Sequence, residues 1–457
     1  MFEKIFKLKE HNTGVRTEII AGVTTFMTMA YILAVNPGIL GDPTGAGMDP
    51  TAVLIATCIA SVIGCMCMGL IANMPFALSA GMGLNAYLSF TVCGQMGVSW
   101  QMALMAVFIE GIIFIILSVT NVREAIFNCI PMQLKKSVSV GIGIYIAFIG
   151  LKNTGLVVKS ENTLVALVKF HENFRTSGIW ALLAVVGILL TFTLYIKKVP
   201  GSILVGMFAI WGIGLICQAV GLYVPDEEAG FSTLFPTFEF TDFSALGNTF
   251  GKCFDADFTS VGIFDFIVII FAFLFVDLFD TIGTLIGVTT KAGMLDEEGK
   301  LPGIKNALLA DAIATSAGAV LGTSTTTTFV ESSTGVGAGG RTGLTAVVVA
   351  GLFLLSMLFA PIFVAIPSFA TAATLVVVGF LMFSSITEIK FSEDDIPTSV
   401  SAYLCIIATP LFYSISEGIS LGIISYVVLN TVTGKAKKVH PLLFVLAVLF
   451  VMKYVFL

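Results

Sequence analysis

The chain has 457 residues, of which 57% are hydrophobic and only 11% are charged. Soluble proteins carry about 25% charged residues, so most of this surface is expected to face lipid rather than water. The formal net charge is −6, and the sequence holds no basic tract of the kind that binds nucleic acid. This composition excludes a soluble globular domain, and it predicts a polytopic membrane protein that does not bind nucleic acid.

Apolar stretches long enough to cross a bilayer, roughly 20 residues each, recur along the whole chain. In the first half they lie near residues 18–40, 52–73, 76–93, 100–120, 137–152, 179–196 and 200–222. A polar stretch at 223–262 follows, and the second half then has segments near 263–290, 304–322, 324–336, 343–366, 371–388, 397–414 and 417–433. Two sets of seven segments are typical of a duplicated transporter, and the odd number inverts the second repeat in the membrane.

Basic residues at the segment ends predict the orientation of the chain. Those expected on the same side as the N-terminus are Arg123, Lys135, Lys136, Lys197, Lys198, Arg341, Lys435, Lys437 and Lys438. By the positive-inside rule this side is cytoplasmic, which places residues 223–262 outside. Residues 153–178 are an exception to this rule, because they lie on the predicted outer side and contain Lys159, Lys169 and Arg175. The acidic residues Glu161 and Glu172 balance part of this positive charge. A last apolar run at 440–457 either spans the membrane or lies in its interface.

The third segment of each half has a broken helical pattern. Residues 74–85 combine a proline with small residues and glycines, and residues 322–331 run through five threonines. Threonine-rich sequence favours extended backbone. Non-helical backbone at membrane depth is tolerated only where protein or a wet cavity surrounds it. Each third segment is therefore predicted to be a short extended piece followed by a half-helix, which marks a binding site near the bilayer midplane.

Several acidic residues stand inside the predicted segments, where each costs about 2.5–3.5 kcal/mol on insertion scales. Asp277 and Asp280 share a helix face through their i, i+3 spacing, and Glu331 opens the half-helix of segment ten. Asp280 and Glu331 are predicted to accept N–H donors from a ligand at the midplane. In the alternative, structural interpretation these acids bond to Ser or Thr hydroxyls or to each other.

The roles of the other buried polar residues stay open at this point. Asp277 and Asp311 are either structural acids or members of a proton relay, and Glu110 has no predicted partner. Asn85 either reads a heterocycle or caps its half-helix. All three histidines lie in predicted loops or at the membrane edge. A proton-coupled mechanism would therefore use carboxyl groups, because burial favours their protonated form.

The sequence predicts neither an enzyme nor a metal protein. The eight cysteines are scattered, mostly within apolar runs, so we expect no disulfide framework and no metal site. We find no HExxH motif and no hydrophilic catalytic domain, and we expect no catalytic residue and no cofactor other than a coupling ion.

Five motifs spread along the chain carry a family resemblance. They are residues 18–26 (EIIAGVTTF) with Asn36-Pro37, 83–86 (GLNA), 275–284 (FVDLFDTIGT), 330–335 (VESSTG) and 339–343 (GGRTG). Over essentially its whole length the chain resembles the AzgA-like purine permeases of the nucleobase–cation symporter-2 superfamily.

The resemblance implies an all-α membrane fold of 14 segments in two inverted repeats of seven. A substrate-carrying core would comprise residues 18–120 and 263–366, and a gate that usually dimerises would comprise 137–222 and 371–433. In the family, the acids corresponding to Asp280 and Glu331 hold the nucleobase. The residues corresponding to Asn85 and Asp311 support binding or transport.

Further candidates follow from the chemistry of a purine. Its flat face could stack on Phe26, Phe329 or Tyr87, and we include Thr284 among the substrate-binding candidates. Asp277, Asp311 and Glu331 are the candidates for proton coupling.

The leading hypothesis is a homodimer in the cell membrane that takes up hypoxanthine, guanine or adenine together with protons, by elevator-type alternating access. Sodium coupling stays open, as does the preferred base. The alternative is an anion carrier of the sulfate-permease type on the same fold, favoured by half-helix N-termini but opposed by two carboxylates. An ion channel is a further alternative. A pair of half-helices that differ in sequence and surround acidic residues suits a closed binding site better than a channel.

Overall fold

The computed structural model describes residues 2–119, 130–160, 163–226, 231–237, 239–258, 261–292, 294, 301–392 and 395–456. Arg123, Cys129 and Glu161 lie outside these residues. The helices of the described part are α1 Phe2–Phe6, α2 Val15–Met29, α3 Ile32–Leu40, α4 Pro50–Cys67, α5 Met82–Ala86, α6 Trp100–Val119, α7 Met132–Asn153, α8 Ile179–Ile196, α9 Ser202–Ala219, α10 Ile263–Ala292, α11 Ile304–Leu321, α12 Ser332–Gly337, α13 Gly343–Ser356, α14 Ala360–Val364, α15 Ser368–Phe383, α16 Ile396–Leu411, α17 Ile415–Val432 and α18 Pro441–Phe456. The strands are β1 Leu78–Ala80, β2 Val157–Ser160, β3 Leu164–Leu167 and β4 Thr326–Thr328.

Within the described residues, ten helical stretches are long and apolar enough to cross a membrane. The prediction of a helical, multi-pass membrane protein is therefore confirmed. The long helix α10 and the broken third segments add to these ten stretches, and the total of fourteen stays a prediction.

The first segment, predicted at residues 18–40, is present as one apolar span at Val15–Leu40. Its helix has a local break, which separates α2 from α3 at Ala30 and Tyr31. The amide of Leu33 bonds to the carbonyl of Ala30 and that of Ala34 to the carbonyl of Tyr31, so the turn at the break is tightened to i, i+3 bonds. The break places Tyr31 at the side of the broken third segments.

The two predicted extended pieces are present and pair with each other. Strands β1 and β4 form an antiparallel two-stranded sheet in which Ser79 lies opposite Thr327. The amide of Gly81 also bonds to the carbonyl of Thr325, which continues the ladder. Each strand leads into a half-helix, α5 after β1 and α12 after β4, and because the strands are antiparallel the two half-helices leave the ribbon at opposite ends.

Helices of the two halves pack in reciprocal pairs. α13 packs against α2 and α4, and α6, which holds the same place in the first half, packs against α10 and α11. In the rest of the chain α7 packs against α15 and α16, and α15 in turn packs against α8. The contacts thus group α2–α6 with α10–α14, and α7–α9 with α15–α17.

Glycines allow the closest of these approaches. A methyl group added at Gly343, the first residue of α13, would overlap the carbonyl oxygen of Gly69, which lies just after α4. Small residues at such crossings let helix backbones come close in a membrane, where dispersion contacts replace the hydrophobic effect.

The predicted start of one segment was wrong, and two further stretches have more regular structure than was predicted. α7 begins at Met132 rather than near 137, so Lys135 and Lys136 lie inside its first turns and not in a loop. Residues 153–178, predicted as a loop, contain the β2–β3 hairpin. The apolar run at 440–457 forms helix α18, which packs against α17 and whose Phe450 ring contacts Phe275 of α10.

Candidate functional site

A cavity of about 490 Å³ lies where the broken third segments meet α7 and α15. Its walls from the first group of helices include Tyr31, Gly81, Met82, Gly83, Asp280, Thr284, Thr327, Thr328, Phe329, Val330, Glu331 and Ser333. Its walls from the second group include Lys135, Lys136, Ser139, Ile142, Ile146, Val378, Leu381, Met382 and Glu388. Ligand sites for small molecules are typically of this size and occur at such boundaries between packed units.

Asp280 and Glu331, the two predicted ligand acids, both line this cavity. The hydroxyl of Thr327 in β4 lies 3.5 Å from Oδ2 of Asp280, which connects α10 to the strand. Thr284, one helical turn after Asp280, lines the same wall. The structure therefore brings Asp280, Thr284 and Glu331 together, as the sequence predicted.

Glu331 occupies the N-cap position of α12 and is only 4% exposed. Its backbone carbonyl accepts bonds from the amide and the hydroxyl of Thr334. Its side chain does not cap the helix. Instead, Oε1 accepts a 2.6 Å hydrogen bond from the hydroxyl of Tyr31, a length typical of a donor paired with a charged acceptor.

Tyr31 is the functional candidate that sequence reasoning missed. It is 1% exposed, lies at the break between α2 and α3, and lines the cavity beside Glu331. The sequence does contain an indication, since Tyr31 stands within an otherwise apolar run. A buried Tyr hydroxyl usually needs a hydrogen-bond partner, so this position could have been included among the candidates. The break that turns it toward segment ten is not visible in the apolar pattern.

The three aromatic candidates are in different places. Phe329 lines the cavity, and its ring centroid is 6.5 Å from that of Tyr31. Phe26 is absent from the described cavity walls, since its ring packs edge-on against Phe353 at 5.2 Å. Tyr87 likewise packs edge-on against Phe273 at 5.1 Å. Only Phe329 of the three is placed to stack on a ligand in this cavity.

Asn85 and Glu110 support the threonine-rich stretch from behind. Asn85 is fully buried, accepts a hydrogen bond from the hydroxyl of Ser324, and is absent from the described cavity walls. Its side chain does not cap α5. Glu110, for which the sequence offered no partner, accepts a 3.1 Å hydrogen bond from the hydroxyl of Thr325. Both side chains accept hydrogen bonds from hydroxyls of the segment that leads into β4.

Asp277 and Asp311 form a buried polar network beside the cavity rather than in its described walls. The hydroxyl of Thr281 lies 2.9 Å from Oδ1 of Asp277 and 3.2 Å from both carboxyl oxygens of Asp311. All three side chains are completely buried. A hydroxyl carries one proton, so it can donate to only one of these two carboxyl groups at a time.

The two ends of α7 differ in their surroundings. Near its start, Lys136 forms a 2.6 Å ion pair with Glu388, and both residues line one end of the cavity. Near its end, roughly 25 Å away at 1.5 Å per residue, the ammonium of Lys152 lies 5.0 Å from the ring centroid of Phe90 and 5.1 Å from that of Tyr413. A second cavity of about 430 Å³ lies there, covered by the β2–β3 hairpin.

Comparisons with known proteins support the transporter interpretation. The profile of the Permease family matches residues 16–447. The chain is 42% identical over 450 residues to the guanine/hypoxanthine permease PbuO of Bacillus subtilis, covering 98% of both chains. It is 39% identical over 452 residues to the adenine permease AdeQ of Escherichia coli K12, covering 99% of this chain and 96% of that one.

Among solved structures the chain is similar to the transmembrane domain of the cyanobacterial bicarbonate transporter BicA. The TM-score is 0.64 at 15% identity, covering 88% of this chain and 96% of that one. At this identity the likeness concerns the fold alone.

These matches confirm the resemblance to the purine permeases of the nucleobase–cation symporter-2 superfamily, and they confirm a transporter rather than an enzyme. The chain belongs to the permease family, with which it shares nearly its entire length.

Proposed function

We propose that this chain carries purine nucleobases across the cell membrane and couples their uptake to protons. The observation that carries the proposal is that the carboxyl groups of Asp280 and Glu331, on two different segments, line one cavity next to the paired strands. The two relatives, an adenine permease and a guanine/hypoxanthine permease, support a purine as the cargo.

The cavity walls offer what a purine requires. The ring N–H groups of the base would be accepted by Asp280 and Glu331, and charge-assisted bonds of this kind are about twice as strong as neutral ones. The flat face would lie against Phe329, and Thr284 and Thr328 line the same space. Asn85 and Phe26 lie outside these walls. They would affect the site only through the segments against which they pack.

The grouping of the helices supports alternating access. We propose that α2–α6 with α10–α14 form the core and that α7–α9 with α15–α17 form the gate, through which two copies would dimerise. The cavity lies between the two groups, with Asp280 on one side and Ile142 on the other. Movement of the core along the gate would then carry the base across the membrane.

The charges at the two ends of α7 support an orientation. The Lys135–Lys136 end would face the cytoplasm, as would the N-terminus, and the Lys152 end would face outside. The cavity reaches Lys136 and Glu388 at the first end, whereas Lys152 bridges Phe90 and Tyr413 at the second. We propose that this arrangement is a state open to the cytoplasm and closed to the outside.

The buried carboxyl groups support proton coupling. Asp277 and Asp311 share the hydroxyl of Thr281, and a proton added to either carboxyl group would turn one of its acceptor oxygens into a hydrogen-bond donor. Glu331 is the third candidate, because it contacts the cavity directly. Sodium coupling is the alternative that the experiment below separates.

An anion carrier of the sulfate-permease type is a second candidate, favoured by the fold that the chain shares with the bicarbonate transporter domain. The two carboxyl groups on the cavity wall oppose an anionic cargo at that position. Competition by sulfate or bicarbonate, without competition by purines, would favour this candidate.

Uptake into cells lacking their own purine carriers tests the proposal. Radiolabelled adenine, hypoxanthine and guanine are supplied at several pH values and sodium concentrations, with sulfate and bicarbonate as competitors. We expect saturable purine uptake that rises as the external pH falls and does not depend on sodium. Absence of uptake for all three bases would refute the purine cargo, and uptake indifferent to pH but dependent on sodium would refute proton coupling.

A further inference from the structure

The structure points to Tyr31 as a positioning residue that fixes the carboxyl group of Glu331 for the cargo. This inference rests on the proposed function, because it assigns a role within the same cavity. Tyr31 lies at the break of the first segment, and its hydroxyl donates a 2.6 Å bond to Oε1 of Glu331.

The bond decides which atom of Glu331 remains free for a ligand. Tyr31 and Glu331 are 1% and 4% exposed, so water does not compete strongly for their polar atoms. The tyrosine occupies one acceptor position of Oε1, so Oε2 is the oxygen that keeps both of its acceptor positions for an N–H from a base in the cavity.

The bond also connects elements that are expected to move together. Tyr31 belongs to the first segment and Glu331 to the start of α12, and both lie in the group of helices assigned to the core. The Thr28 and Thr334 hydroxyls, 2.9 Å apart, connect the same two elements one turn away. The first segment would thus hold the ligand carboxylate rigidly while the core moves.

A matched control exists elsewhere in the chain. Tyr223 is also 1% exposed, and its hydroxyl donates a bond of the same length, 2.6 Å, to the carbonyl of Ser232, away from the described cavity walls. Tyr223→Phe therefore removes a partly buried hydrogen bond of the same length, made to a backbone carbonyl, without touching Glu331. It separates a loss of stability from a loss of positioning.

Equilibrium binding of radiolabelled hypoxanthine, guanine and adenine is measured on purified, correctly folded protein. Tyr31→Phe should weaken binding of the base that the wild type binds by about tenfold, as expected for the loss of one hydrogen bond to a charged group. In transport the variant should raise KM by a similar factor while Vmax changes less than twofold. Tyr223→Phe should leave both constants within twofold.

The Glu331→Gln background gives the decisive comparison. If Tyr31 acts through the carboxylate, Tyr31→Phe should weaken binding by less than threefold when Gln already occupies position 331. An equal loss in both backgrounds, or wild-type affinity in the single variant, would overturn the inference. A wild-type protein that binds no purine would instead overturn the proposed function.

Discussion

Two threonines of the same strand provide a test of where the ligand lies. Thr326 and Thr328 point to one face of β4, are 0% and 2% exposed, and carry hydroxyls that have no hydrogen-bond partner within the described residues. Only Thr328 lines the cavity. Thr328 therefore brings an unsatisfied hydroxyl to the cavity wall, where a bound base is the partner that we propose for it, whereas Thr326 is absent from the described cavity walls.

Replacement by valine keeps the branched shape of the side chain and removes the hydroxyl. A neutral hydrogen bond contributes about 0.5–1.5 kcal/mol net, which corresponds to a two- to twelvefold change in affinity. We therefore expect Thr328→Val to weaken purine binding by about that factor. Thr326→Val should leave affinity within twofold, and it should raise the melting temperature because it removes a buried, unsatisfied polar group.

Scintillation proximity binding on the purified variants measures the affinities, and intrinsic fluorescence during heating measures the melting temperatures. Wild-type affinity in Thr328→Val would show that its hydroxyl does not contact the base. Equal losses in both variants would show that the effect comes from the strand as a whole, and would refute the placement of the ligand.

Two further predictions concern the packing and the buried network. Gly343→Ala should destabilise the protein by about 1–3 kcal/mol, because the added methyl group overlaps the carbonyl oxygen of Gly69. Gly351→Ala on the same helix, where an added methyl group meets no atom within 4 Å, should not lower the melting temperature, and equal effects would contradict this packing. Thr281→Val should cost about 1.5–3 kcal/mol, since it removes the hydroxyl shared by Asp277 and Asp311. Thr191→Val, which removes a buried hydroxyl bonded to the carbonyl of Gly187 in its own helix, should cost less than about 1 kcal/mol, and the reverse order in a thermal unfolding series would rule out the shared-hydroxyl network.

Much of the fold could be predicted because the bilayer constrains the sequence strongly. The lengths of the apolar stretches predicted the membrane-spanning segments. The threonine run at 322–331 predicted an extended piece, which the structure shows as β4. The break at Ala30 and Tyr31 was missed because an apolar run looks the same whether its helix is continuous or interrupted. The start of α7 was misplaced because Lys135, although charged, is 7% exposed within the helix rather than in a loop.

The site could be predicted where a charged residue stands in an apolar segment, because inserting such a side chain into the membrane costs free energy. Asp280 and Glu331 are residues of this kind. It was not predictable where a role depends on which way a side chain points. Asn85 and Phe26 belong to the correct segments, but they face Ser324 and Phe353 rather than the described cavity walls. Tyr31 was missed for the same reason, since its contact with Glu331 joins residues 300 positions apart.

Equilibrium binding of radiolabelled purines to Asp280→Asn and Glu331→Gln tests the central claim, that these two carboxyl groups hold the base, most directly. Asp265→Asn, in the first turn of the same helix as Asp280 and outside the described cavity walls, and Glu172→Gln, in an exposed loop, are the matched controls. We expect each cavity variant to lose about tenfold or more in affinity and each control to stay within twofold. Wild-type affinity for every base in both cavity variants would contradict the account.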